Sequence, residues 1–210
     1  MTEDEARSWF RTALSVSRET EAQLEGFAAL VVEENARQNL VSAATLPHIW
    51  ARHMVDSGQL VALAGAASDA AWLDLGSGPG FPGIVLAILC GGPVHLVEER
   101  KGRIAFLERV AETLGLANVH VHGCKVERLS LPPVDIITAR AFAPLPKLFT
   151  LAHSFSTQKT LWLLPKGKSA HAELESVRGT WQGVFHVKQS ITDAEAAIIT
   201  ATGVRKAGKA

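Results

Sequence analysis

Asp74-Leu75-Gly76-Ser77-Gly78-Pro79-Gly80-Phe81-Pro82-Gly83 is the stretch on which the fold of this chain turns. The apolar run Ala70-Ala71-Trp72-Leu73 leads into it, and Ile84-Val85-Leu86-Ala87-Ile88-Leu89 leads out. Strand, glycine turn, helix is the expected order. Each glycine lets backbone come close to a ligand or take angles a side chain would forbid, and a helix opened this way is expected to offer unpaired N–H groups. The acid before the first glycine suits a ligand with positive charge and free amine donors, not a polyanion. S-adenosylmethionine has both features.

Two rival loops share part of the pattern. Gly78-x-Gly80-x-x-Gly83 matches the dinucleotide fingerprint as a string, and Glu98 or Glu99 follows at the end of the next expected strand. The register argues against it: the tight turn should use Gly76 and Gly78, and the sixth position counted from Gly76 is Phe81. Pro79 and Pro82 also remove two N–H groups from the part that would meet a pyrophosphate. A triphosphate loop is excluded because no Gly-Lys-Ser or Gly-Lys-Thr follows. A turn with no ligand would leave the acid, the prolines and the glycines at one strand end without a common reason.

Working outward, hydrophobic periodicity predicts strands at 70–75, 93–97, 118–122, 134–138 and 159–164, and helices at 82–90, 101–114, 145–154 and 169–178. This βαβ series implies an α/β fold with a mostly parallel, doubly wound sheet. Strand-like runs follow at 183–187 and 195–202, joined through Ser190 to Asp193, and Gly203 to Ala210 reads as a frayed tail. Ahead of the loop, Trp9, Phe10, Ala13 and Leu14, then Leu24, Phe27, Ala28 and Val31, predict one helix over 3–31. Asn35 to Pro47 is an irregular connector, helix resumes near His48, and Gly65 to Asp69 is the expected linker. The division is thus a helical cap at 1–65 and a core at 70–204. So few helices bury too little surface to stand alone, so the cap is expected to pack on the sheet.

Composition narrows the class. With 210 residues, 47% of them hydrophobic, the chain suffices for one domain with a normal core. No uninterrupted apolar run approaches the roughly 18 residues of a membrane span, and Met-Thr-Glu-Asp-Glu does not read as a targeting signal. Cys90 and Cys124 suggest no disulfide framework, and the scattered histidines have no zinc-site spacing, so no metal is expected. A cytoplasmic monomer is the expectation. Lys plus Arg and Asp plus Glu both number 21, which argues against tight generic binding to naked nucleic acid. The distribution is uneven: residues 71–170 hold eleven bases against seven acids, whereas residues 1–70 hold five against ten.

The markers extend beyond the loop. Asn39-Leu40-Val41-Ser42, Arg52-His53-Met54-Val55-Asp56-Ser57, the loop itself, Glu98, Arg103, Arg140-Ala141-Phe142-Ala143 and Lys166-Gly167 stand in an order and spacing that resemble one family. It is the glucose-inhibited division protein B family, bacterial methyltransferases that make 7-methylguanosine in small-subunit ribosomal RNA. The resemblance implies a Rossmann-like class I methyltransferase fold ending in an antiparallel hairpin. It also implies S-adenosylmethionine as cofactor and 16S ribosomal RNA as partner, free or within the small subunit or its precursor.

Roles follow as expectations. Ligands in open α/β sheets bind beyond the carboxyl ends of the strands, where Asp74, Glu98 and Arg140 should fall. Asp74 would orient the amino end of the methionine, with Gly76, Ser77, Gly78, Gly80 and Phe81 forming the loop; capping the turn is its local alternative. Glu98 would accept the ribose hydroxyls. Val126 would pack on adenine, and Glu127 stands where the family has Arg-x-Glu. Arg140 is the catalytic candidate, gripping phosphate or stacking on a base while touching cofactor; an ion pair with Asp74 is its alternative. Asn39, His53, Arg103 and Lys166 complete the RNA set, against turn capping for Asn39, a local hydrogen bond to Asp56 for His53 and a place at the cofactor entrance for Lys166. Phe142 would stack or pack. The chain departs from the family at Gly102, where lysine is usual, and at Asp193-Ala194-Glu195-Ala196-Ala197. A small-molecule methyltransferase would instead show a closed apolar pocket, and a non-enzymatic RNA-assembly protein would not need the loop and Glu98.

Overall fold

Short strands whose successive side chains face opposite sides build the sheet. The structure, a computed structural model, describes residues 1–65 and 69–208. Strands β1 (Trp72–Leu75), β2 (Val94–Val97), β3 (Val119–His122), β4 (Ile136–Thr138) and β5 (Leu161–Lys166) are parallel. Strands β6 (Trp181–Gln189) and β7 (Ala197–Lys206) form an antiparallel hairpin, and β7 pairs antiparallel with β5. The spatial order is β3-β2-β1-β4-β5-β7-β6, so it reverses between β1 and β4. That reversal opens a crevice at the carboxyl ends of the strands.

Trp72, Leu96, Ile136 and Leu163 enter one apolar layer, and Leu73, Leu75, Ile137 and Trp162 enter the other. Helices cover both faces, as parallel strands require. Helices α6 (Leu145–Ala152) and α7 (Ala170–Val177) bury Leu148, Phe149 and Val177 in the second layer. Helices α4 (Gly83–Leu89) and α5 (Lys101–Thr113) join the first, together with α1 (Glu3–Ala13), α2 (Arg18–Asn35) and α3 (Val55–Ala64).

The N-terminal helix expected at 3–31 is two helices. Thr2 and Glu5 form a reciprocal capping box on α1, the chain turns at Ser15 with φ +51°, and the Ser17 hydroxyl accepts from the Thr20 N–H to start α2. Apolar spacing persists across the break, so periodicity alone does not register it. In the connector, Asn35 Oδ1 accepts from the N–H groups of Leu40 and Val41 at 2.9 Å each. Helix then resumes as a π-helical turn, Trp50–Met54, that runs into α3. The linker expected at 65–69 lies mostly outside the described residues. The tail is not frayed through residue 206, because Gln182 pairs with Arg205 and Trp181 with Lys206; Lys209 and Ala210 lie outside the described residues. Among the described residues, no helix is long and apolar enough to cross a membrane, and no group of three or more His, Cys, Asp or Glu could hold a metal ion.

Candidate active site

The glycine loop turns its amides inward. Gly76 and Ser77 donate to Val97 O at 2.9 and 3.0 Å, Gly78 to Glu98 Oε2 at 3.0 Å, Gly80 to Ser77 O at 2.8 Å, and Gly83 to Asp74 Oδ2 at 3.1 Å. A pyrophosphate would find these donors already spent, in agreement with the register argument. The expectation of an unpaired helix end is corrected by the same bonds, because Asp74 closes the start of α4. Gly76 has φ +69°, and a Cβ there would stand 2.5 Å from Phe142 Cδ2, so only glycine lets the Phe142 ring lie against the loop.

Asp74 is fully buried and lines neither of the clefts described below. Its capping alternative is what the geometry displays. Burial pushes its pKa up to about 7, against the pull of Ser77, Gly83 and Arg140, and its Oδ1 has no hydrogen-bond partner among the described residues.

A cleft of about 360 Å³ opens where β1, β2 and β3 end, lined by Gly76, Glu98, Arg103, Val126 and Glu127. Glu98 Oε1 accepts from the N–H groups of Glu99 and Arg100 at 2.8 and 2.9 Å while Oε2 holds Gly78. Three of its roughly four lone-pair positions are therefore occupied. Arg103, grouped with the RNA residues above, sits here instead, with Nη1 4.0 Å from Glu98 Oε2. Val126 is buried and Glu127 exposed.

A second cleft of about 650 Å³ adjoins the first, and Ala141-Phe142-Ala143 line both. Ala141 takes φ +52°, an uncommon conformation for a residue with a Cβ. Arg140 lines the larger cleft beside His53 and Asp56. Its Nη1 lies 3.0 Å from His53 Nδ1 and 3.5 Å from Asp56 Oδ2. The ion pair weighed as its alternative, with Asp74, is made with Asp56 instead, and no direct His53–Asp56 bond occurs among the described residues.

The directions of these bonds are determined. A guanidinium only donates, so His53 Nδ1 accepts and Nε2 carries the proton. That proton goes to Thr45 Oγ1 at 2.9 Å, whose own hydroxyl reaches Ser42 O at 3.1 Å. Burial, with Arg140 and Arg52 nearby, pushes the His53 pKa down to about 3, consistent with a neutral ring. Phe81 is buried beneath, its ring 5.1 Å from that of His53 and 5.3 Å from the Arg140 guanidinium carbon. Among the described residues Arg140 Nε and Nη2 make no hydrogen bond, which leaves one edge of the guanidinium for the cleft.

The two remaining RNA candidates are placed differently. The Lys166 ammonium donates to Glu173 Oε2 at 2.7 Å and to Ala143 O at 3.1 Å. Burial opposes the charge of Glu173, yet bonds from Lys166 and Ser169 hold its carboxyl below the usual range. Lys166 therefore pins the wall between the clefts, and a phosphate contact would require it to leave this pair. Asn39 is exposed, lines neither cleft and caps no turn among the described residues, where Asn35 performs that task.

The family model for GidB, rRNA small subunit methyltransferase G, matches residues 20–199. The chain belongs to the GidB family. A Rhizorhabdus wittichii protein named ribosomal RNA small subunit methyltransferase G is 52% identical, covering 100% of this chain and 96% of the relative. A Zymomonas mobilis protein of the same name is 46% identical, covering 100% and 99%. Among solved structures, a SAM-dependent methyltransferase from Aquifex aeolicus superposes with TM-score 0.61 at 16% identity over 75% of this chain and 93% of its own. A putative S-adenosyl-L-methionine-dependent methyltransferase from Methanococcus maripaludis reaches 0.61 at 11% identity over 87% and 94%. At these identities the likeness establishes the fold.

Several residues that gather around His53 and Asp56 in this GidB-family chain are not singled out as candidates by the sequence reading. Thr45 fixes the His53 tautomer, Arg52 reaches Asp193 across the cleft at 2.8 Å, and Gln59, Ser190 and Thr192 gather around Asp56. Hydroxyls near a hairpin turn look like ordinary turn chemistry. Only the return of the hairpin to α3 gives them another meaning.

Proposed function

We propose that this GidB-family chain transfers a methyl group from S-adenosylmethionine to N7 of a specific guanine in 16S ribosomal RNA, acting as a cytoplasmic monomer on RNA that is free or within the small subunit or its precursor. The observation that carries the reading is the pair of adjoining clefts at the carboxyl ends of the strands, one containing Glu98 and the other an Arg140 with one free edge. The cofactor fits the residues present. The glycine loop lacks outward amides for phosphate, Glu98 keeps acceptor capacity for a ribose hydroxyl, and Val126 and Phe142 offer apolar surface beside it.

In this reading Gly76, Gly78, Glu98, Arg103, Val126 and Glu127 hold the cofactor in the smaller cleft, while Asp74, Ser77, Gly80 and Phe81 shape the loop from behind. When bound, S-adenosylmethionine supplies an electrophilic methyl group on a cationic sulfur. Guanine N7 carries an in-plane lone pair and no proton, so the chain needs no general base. Its contribution is placement, worth up to about 7–11 kcal/mol in ideal cases. Arg140 donates through its free edge to guanine O6 or a flanking phosphate. His53 and Asp56 hold the opposite edge, which keeps the guanidinium from covering N7. The cap, residues 1–65, brings those two partners to the cleft, and an extruded base enters there.

The test is methyl transfer into unmodified small-subunit RNA and into particles, with base mapping. Arg140→Ala should lower transfer by about 10²-fold while calorimetric affinity for S-adenosylmethionine stays within a few-fold and NAD gives no heat. Absence of cofactor binding by the unaltered chain would end the proposal.

A further inference from the structure

The turn between β6 and β7 has no place in the scheme above, yet it reaches the centre of the site. Asp56 Oδ2 is the oxygen nearest Arg140. Its other oxygen, Oδ1, lies 3.0 Å from Gln59 Nε2, 3.2 Å from Thr192 Oγ1 and 3.5 Å from Ser190 Oγ. Gln59 Nε2 also donates to Ser190 Oγ at 3.0 Å, and Gln59 Oε1 accepts from the Ile191 N–H at 3.1 Å. Ser190 and Gln59 are 5% and 4% exposed, so these two lie in the interior, while Thr192 lines the larger cleft and Ile191 faces solvent.

Carboxylates and guanidiniums prefer two parallel bonds. An Asp56 free to rotate would offer both oxygens to Arg140 and occupy the edge that now faces the cleft. The donors on Oδ1 prevent this. They leave a single, long contact of 3.5 Å to Nη1, and the shorter bond to His53 sets the plane of the guanidinium. We infer that Ser190 and Thr192, acting through Asp56, are positioning residues that keep the free edge of Arg140 available to the RNA substrate. The hairpin thereby joins the catalytic arrangement although it is remote in sequence from every glycine-loop residue. The inference rests on the substrate role proposed for Arg140.

The experiment compares Ser190→Ala/Thr192→Val with Ser190→Thr/Thr192→Ser, and with Arg140→Ala, in the full chain. Four quantities are read: kcat and KM for small-subunit RNA, calorimetric affinity for S-adenosylmethionine, and the thermal midpoint. The hydroxyl-free pair should lose transfer on the order of 10–100-fold, with cofactor affinity unchanged within a few-fold. The hydroxyl-retaining pair should recover most of it, a rescue that loss of packing alone would not give. The Arg52–Asp193 ion pair still ties the turn to the cap in every variant. Should the double variant unfold, Thr192→Val against Thr192→Ser makes the same comparison. Full transfer by the hydroxyl-free pair, with Arg140→Ala inactive, overturns this inference alone. Full transfer by Arg140→Ala overturns the proposed substrate role as well.

Discussion

Asp74, buried, and His53, half-buried, have pKa values displaced in opposite directions, and their effects on stability have opposite signs. Asp74 has its pKa raised from 3.8 to about 7, chiefly by burial. Between those values the unfolded chain has released a proton that the folded chain retains, so this group makes stability fall as pH rises from about 4 to 7. His53 has its pKa lowered from 6.5 to about 3, again chiefly by burial. Between those values the unfolded chain binds a proton that the folded chain refuses, so this group makes stability fall as pH drops through the same range. His95, lowered to about 4 by burial and its neighbours His122 and His120, acts in the same direction as His53. Asp74→Asn should therefore give a profile that climbs more steeply from pH 4 to 7 than that of the unaltered chain, as read by urea unfolding at several pH values. An identical slope would mean that Asp74 is ionised in the fold. Ala141 offers a second test at this scale. Its positive φ stores strain of about 1–3 kcal/mol, part of which Ala141→Gly relieves. Thermal unfolding should report equal or greater stability, while transfer falls because the backbone beside Arg140 gains freedom.

At the scale of elements, the sequence was legible wherever one local rule sufficed. Apolar runs bounded by glycine located β1, β2 and α4, and the strand ends brought Asp74, Glu98 and Arg140 to one edge of the sheet. The rest depended on breaks and contacts that apolar spacing does not report. Continuous periodicity concealed the break at Ser15 because two amphipathic helices in sequence keep similar spacing. Lys166, read as a phosphate ligand, meets Glu173 supplied by α7, and Arg103, read as an RNA ligand, stands beside Glu98 at the end of β2. The Lys166–Glu173 pair makes the difference measurable. Its side chains are 10% and 20% exposed, and Glu173 Oε2 also accepts from the Leu145 N–H that begins α6. Lys166→Met should destabilise the fold by about 2–4 kcal/mol, since it leaves a largely buried carboxylate without its cation. The salt dependence of RNA binding should stay the same, whereas a phosphate-contacting lysine would lower the slope by about one.

For the whole molecule, zero net charge and a two-part build are connected. The acids concentrated in residues 1–70 belong to the segment whose apolar side chains enter the same layer as the sheet. Phe10, Phe27, Trp50 and Met54 are buried there with Phe81, Ile84 and Leu86, next to the glycine loop. Removing these four from water contributes roughly 6–12 kcal/mol, comparable to the net stability of an entire domain. Neither segment should then fold by itself. Residues 70–210 alone would uncover the outer side of α4 and the part of the first layer beside β5, and would lack His53 and Asp56, the partners that hold Arg140. Residues 1–65 alone would have helices with no sheet to cover. Each piece is expected to show no cooperative thermal transition, whereas mixing the two should restore a transition and a measurable fraction of transfer. A piece spanning 70–210 that melts cooperatively near the midpoint of the intact chain would mean that the helical segment is an accessory to the sheet and not half of its core.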